Sequence, residues 1–217
     1  MSFKTKIMSE DIDGVSNWVW PEEDTGLWIG PSHEWSAIKP IIMENTDPMN
    51  RLNAVQAGGG CGMYPRLLSQ MFTYVYTFEP DPYNFYCLSQ NCQSENIYKF
   101  NSALSDRHRK IKFFAPGVHN RGTGTVTNSV NNDSINDTAG NAVALTIDDF
   151  VFESLGLIYL DIEGSEFYAL TGAINTIKKH KPLIICETAH SLINILEEYG
   201  YEIIAKSSAD TVFKATK

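Results

Sequence analysis

Four of the fifteen glycines stand within five consecutive positions, Gly58-Gly59-Gly60-Cys61-Gly62. Glycine permits positive φ and lets a ligand approach the backbone with no Cβ in the way. The spacing is GxGxG at 58, 60 and 62, and Met63 stands where the nicotinamide fingerprint GxGxxG needs glycine. Taken alone the cluster is also compatible with a tight strand-to-helix turn that holds no ligand. Glu79 changes that balance. It closes an apolar, β-branched and aromatic run 21 residues after Gly58, where an acid can take both hydroxyls of a ribose. A second group, Asp161, Glu163, Glu187 and His190, lies at or just beyond two further apolar runs. Carboxylates or a histidine at such positions could remove a proton from an acceptor hydroxyl. Glu166 reads as an acid stabilising the positive end of a helix. Asp161, Glu163 and Glu187 are ligands of the type hard cations favour, but their spacing fixes no geometry and no metal is expected.

The elements that must hold these residues alternate from about residue 50. Short apolar runs at 53–57, 73–79, 97–101, 110–115, 158–162 and 182–187 are spaced by helical patterns, as in a parallel sheet wrapped by helices. Tyr64, Leu67, Leu68, Met71 and Phe72 recur at helical spacing. Asp81-Pro82 supplies an N-cap and an N1 proline for a helix reaching Asn91, and 163–180 reads as one helix. Residues 116–140 interrupt the rhythm: seventeen of the 25 are Gly, Asn, Asp, Ser or Thr, which predicts a long loop of functional or mobile character. At the end, 201–206 and 211–215 are separated by four residues, too few for a parallel crossover, so this pair must be antiparallel. Residues 1–49 hold all four tryptophans and read as an extension docked on the 50–217 domain.

Composition sets the outer limits. The chain of 217 residues carries 26 acidic and 17 basic side chains, a net charge of −9. No basic footprint for a nucleic-acid backbone is present, and no apolar run approaches the ~18 residues of a membrane helix. The four cysteines, at 61, 87, 92 and 186, show no CxxC pairing and suit a reduced, cytoplasmic protein.

Five blocks occur in the order seen in FkbM-like methyltransferases. They are Val55–Gly62, Phe78-Glu79-Pro80-Asp81-Pro82, Ser102-Ala103-Leu104-Ser105-Asp106, Leu160-Asp161-Ile162-Glu163-Gly164-Ser165-Glu166 and Pro182–Glu187. The chain over 50–217 resembles that S-adenosylmethionine-dependent family. The resemblance implies a doubly wound, mostly parallel α/β sheet of seven strands with a reversed last strand, the Rossmann-like methyltransferase fold. It implies S-adenosylmethionine as cofactor, held by Gln56, Gly58, Gly60, Gly62, Glu79, Ser102, Ala103 and Asp161. Glu79 would take the ribose, and Ser102-Ala103 would lie beside adenine. Asp161, Glu163 and His190 would serve the reaction centre. The family usually has an acid where Gln56 stands and a lysine where Tyr159 stands. The expected activity is methyl transfer to an oxygen of a small molecule or carbohydrate. A nicotinamide-dependent oxidoreductase and a silent nucleoside-binding module are the rival readings.

Overall fold

The structure is a computed structural model that describes residues 3–24, 31–114, 125–127, 139–187, 193–207 and 210–216. A two-stranded ribbon, β1 (Thr5–Met8) and β2 (Trp18–Pro21), precedes helix α1 (Pro31–Asn45). The domain proper follows as β3 (Asn53–Ala57), α2 (Met63–Leu68), β4 (Tyr74–Phe78), α3 (Pro82–Asn91) and β5 (Ile97–Phe100). Four strands of a smaller sheet come next: β6 (Ala103–Leu104), β7 (Arg109–Phe114), β8 (Thr125–Thr127) and β9 (Ala139–Leu145). The main sheet resumes with β10 (Leu157–Leu160), α4 (Glu166–Thr171), α5 (Ile174–His180), β11 (Leu183–Cys186), α6 (Ile193–Glu198), β12 (Tyr201–Lys206) and β13 (Thr211–Ala215).

The main sheet has seven strands in the order β12-β13-β11-β10-β3-β4-β5. All neighbours are parallel except β13, which runs antiparallel to both β11 and β12. β13 is therefore inserted inside the sheet, and it runs antiparallel to β12 as the short 207–210 connection requires.

Both faces are covered, and the period-2 alternation of the strands decides which side chain goes where. Ala54, Val75, Leu157, Leu183, Ile185 and Val212 face a core shared with α1, α2, α3 and Trp18. Their neighbours Val55, Phe78, Ile158, Ile184, Cys186 and Phe213 face a second core shared with α4, α5 and α6. This near-continuous burial explains why the strands read as unbroken apolar runs.

Described residues of the 1–49 segment pack into the first of these cores. Trp18, Trp35, Ile38 and Ile42 are buried in it, the last three on one face of α1. Arg51 closes the end of that helix, donating to the Met43 and Thr46 carbonyls, which suits a cation at a helix C-terminus.

Two expectations need correction. The span 163–180 is broken into α4 and α5 at Gly172-Ala173. Within 116–140, the described pieces are strands: β8, and the start of β9. The other residues from 115 to 138 lie outside the described residues.

Candidate functional site

The carboxyl ends of β3, β4, β10 and β11 converge on one edge of the sheet. The glycine turn leaves β3 there with Gly58, Gly60 and Gly62 all at positive φ. These three glycines answer to different demands. A Cβ on Gly58 would sit 1.7 Å from the Asp161 carbonyl oxygen, so this glycine lets the ends of β3 and β10 touch. One on Gly62 would meet Cys92 Sγ at 2.9 Å, so that glycine seats the turn on α3. One on Gly60 would meet nothing within 4 Å, although its φ of +50° is a conformation side chains resist. Gly60 is the open part of the cradle.

Glu79 holds this cradle from the end of β4. One carboxylate oxygen accepts the Gly60 amide at 2.7 Å and the other accepts the Asp81 amide at 2.8 Å. The residue is only 6% exposed. Behind it, Asn101 donates to the Glu79 and Pro80 carbonyls and fixes the following turn. Asn91 braces the other side. Its side chain pairs with both the amide (2.7 Å) and the carbonyl (2.8 Å) of Val19, and donates to the Cys61 carbonyl at 2.6 Å. One amide group therefore ties the N-terminal ribbon to the glycine turn.

Gln56 lies beneath the turn with no exposed surface. It donates to the Ala57 and Gly58 carbonyls and accepts from the Thr77 hydroxyl at 2.6 Å. It can influence a ligand only through the turn it braces. Ser102 is buried, and its hydroxyl has no hydrogen-bond partner among the described residues. The Ala103 methyl packs with Ile111 and Ala144, which leaves its backbone as the part available to a ligand.

Across the edge, Asp161, Glu163 and Glu187 each place a carboxylate oxygen within 4.8 Å of the other two. Burial raises the Asp161 pKa well above the carboxylate range, and the charges of Glu187, Glu163 and Asp210 add to that effect. Glu163 is raised by burial and by Glu187 and Glu166. Groups so close cannot all be ionised cheaply, so a proton, or a bridging hard cation, would suit the site equally.

The turn that presents Glu163 is unusual. Glu163 has φ +52° and Gly164 φ +90°; a non-glycine residue held there costs roughly 1–3 kcal/mol. Glu166 offsets this cost. It is 1% exposed and accepts the Ile162 and Gly164 amides at 3.1 and 3.3 Å. Its carboxylate is thus folded back onto the turn, a more specific task than the helix-end role expected from sequence.

Asp210 was not foreseen. Thr211 is the register partner of Cys186, so reversal of β13 carries Asp210 to the level of Glu187. It is buried, and burial with the charges of Glu34 and Glu187 raises its pKa to about 6, while contacts with Ser207 and Tyr159 partly offset this. The Tyr64 hydroxyl, near Tyr159, donates to Glu34 at 3.1 Å, which brings α1 to the same edge. His190 lies outside the described residues.

The family described as methyltransferase FkbM domain matches residues 64–203. A search of curated proteins finds no significant match. Among solved structures, a methyltransferase FkbM from Methylobacillus flagellatus KT aligns with a TM-score of 0.50 and 19% identity, covering 80% of this chain and 49% of its own. The present chain thus spans about half the length of that protein. A precorrin-6y C5,15-methyltransferase from Geobacter metallireducens GS-15 aligns with a TM-score of 0.51 and 12% identity, covering 89% of this chain and 93% of its own. At these identities the structures speak for the fold.

Proposed function

The chain belongs to the methyltransferase FkbM domain family, and on that basis we propose that it transfers a methyl group from S-adenosylmethionine to an oxygen of a small molecule or sugar. The observation that carries the reading is the Glu79 carboxylate holding the Gly60 amide where the turn opens to free space. An ionised carboxylate is the charge-assisted acceptor that ribose hydroxyls favour. The buried Ser102 hydroxyl, lacking a partner among the described residues, suits a polar edge of adenine. The bound sulfonium supplies the activated methyl group.

The chain's own residues supply orientation and proton acceptance. Asp161, whose pKa burial and its acidic neighbours raise, is a stronger base than an ordinary carboxylate once ionised. It takes the acceptor's hydroxyl proton, and Glu163 and Glu187 share the resulting proton network. His190 belongs to the same reading as a further candidate base. An edge lined with acids disfavours phosphate, so a nucleic-acid backbone is a poor partner and a neutral acceptor a good one. A cytoplasmic location fits four free, buried cysteines.

Thermal-shift titration with S-adenosylhomocysteine and with NAD tests the cofactor choice. The homocysteine compound should raise the melting temperature, by about 2.7 kcal/mol of stabilisation at a hundredfold excess over Kd. A shift with NAD alone overturns the reading in favour of an oxidoreductase. Binding without any turnover across hydroxyl acceptors would leave a nucleoside-binding module.

A further inference from the structure

We propose that Glu166 is the positioning residue of this site, setting the backbone turn that aims the Glu163 carboxylate at Asp161 and Glu187. The proposal rests on the methyltransferase reading for what those acids do, but its structural half stands without it.

The argument is geometric. Glu163 takes a left-handed conformation without being glycine, followed by Gly164 in the same region. Two consecutive residues of that kind turn the chain sharply and leave the amides on either side of Glu163 pointing inward. Those amides, of Ile162 and Gly164, are the two that the Glu166 carboxylate accepts. The acceptor comes from the first turn of α4, whose Ala169 and Leu170 are fixed in the core, so the carboxylate is anchored by packing. The Asp161 amide is held independently by the Ala57 carbonyl at 3.1 Å. Glu163 is therefore the member of the acidic group whose position depends on Glu166.

Two variants separate the possibilities. Glutamine keeps an oxygen that can accept both amides, whereas leucine keeps the volume and removes the acceptor. In ligand-free protein, Glu166→Leu should make the Ile162 and Gly164 amides exchange at least tenfold faster, while Glu166→Gln protects them as wild type does. In methyl transfer, Glu166→Leu should lower kcat at least tenfold, with S-adenosylhomocysteine affinity changed less than threefold. Glu166→Gln should keep kcat within threefold, because the accepting oxygen is retained, and should lower the Glu163 carboxyl pKa followed by NMR, since it removes a negative charge that raises it. Should Glu166→Leu fail to fold, Gly164→Ala perturbs the same turn from its open side, where an added methyl meets nothing within 4 Å. It should reproduce the kcat loss with affinity retained. Unchanged exchange in the folded leucine variant, or unchanged kcat with accelerated exchange, overturns the proposal. Accelerated exchange in a protein whose wild type transfers no methyl group removes the methyltransferase reading and leaves the positioning intact.

Discussion

Gln56 and Tyr159 are register partners on the adjacent parallel strands β3 and β10. They are the two positions where the resembling family usually has an acid and a lysine, so two departures that look unrelated in sequence are one exchange in space. An acid and a lysine here would form a buried ion pair beneath the glycine turn. In this chain a fully buried amide and a fully buried phenol take their place.

That exchange predicts coupling. Gln56→Glu alone puts an unpaired carboxylate into a site with no exposure, at a cost of about 3–5 kcal/mol. With Tyr159→Lys added, part of this should return, so a double-mutant cycle in urea should give a favourable interaction energy of at least ~1 kcal/mol. Additive losses would show that the two positions do not communicate.

The glycines should separate fold from ligand binding. Gly58→Ala forces a methyl group against the Asp161 carbonyl and should leave the protein insoluble or unfolded. Gly60→Ala has room and faces only the left-handed penalty, about 1–2 kcal/mol. It should fold, yet bind S-adenosylhomocysteine at least tenfold more weakly by calorimetry. Wild-type affinity in Gly60→Ala would place the cofactor elsewhere.

Glu79→Gln should now show two losses. One of the Gly60 and Asp81 amides loses its acceptor, costing roughly 1–3 kcal/mol of stability. Loss of charge-assisted bonds to a ribose should also weaken S-adenosylhomocysteine by roughly ten- to a thousandfold. A stability loss with unchanged affinity would confine Glu79 to bracing the turn.

The raised pKa of Asp210 fixes the direction of a pH effect. Its folded value of about 6 exceeds the ordinary Asp value, ~3.9, so the folded state holds the proton to higher pH. The associated stability is fully present below about pH 4 and is lost as pH rises through 6. Asp161 acts in the same direction. Melting temperature should therefore fall between pH 4.5 and 7, and Asp210→Asn should reduce that fall. An identical pH slope in wild type and variant would remove Asp210 from the acidic group.

The strand at 53–57 was legible because it is buried throughout, the 201–206 and 211–215 pair because a short connection separates them, and the helix at 82–91 because its start is marked locally; all four match the observed elements at both ends. The N-cap at Asp81 was equally legible, since its cause is local; its side chain accepts the Tyr83 amide at 2.8 Å. What escaped depends on contacts between distant segments. Gly172 breaks the expected long helix where an added Cβ would lie 2.1 Å from the Ser105 carbonyl oxygen, a contact that periodicity cannot register. The small sheet draws on a stretch whose composition signals loop. Asp210 joins the site only through the register of a reversed strand, and Glu79 owes its burial to the turn folded over it.

The inserted position of β13 also bears on how the protein is made. As a chain leaves the ribosome, strands β3 to β5 and β10 to β11 can pair in turn, but the free edge of β11 has no partner until residues 211–215 emerge. Until then a four-residue, fully apolar strand is an open template for any neighbouring chain. Nascent chains stalled before residue 211 should therefore recruit holdase chaperones and lack a functional site, because the hairpin that seals the edge also delivers Asp210. The strand that completes the sheet is thus also the one that brings Asp210 to the acidic edge.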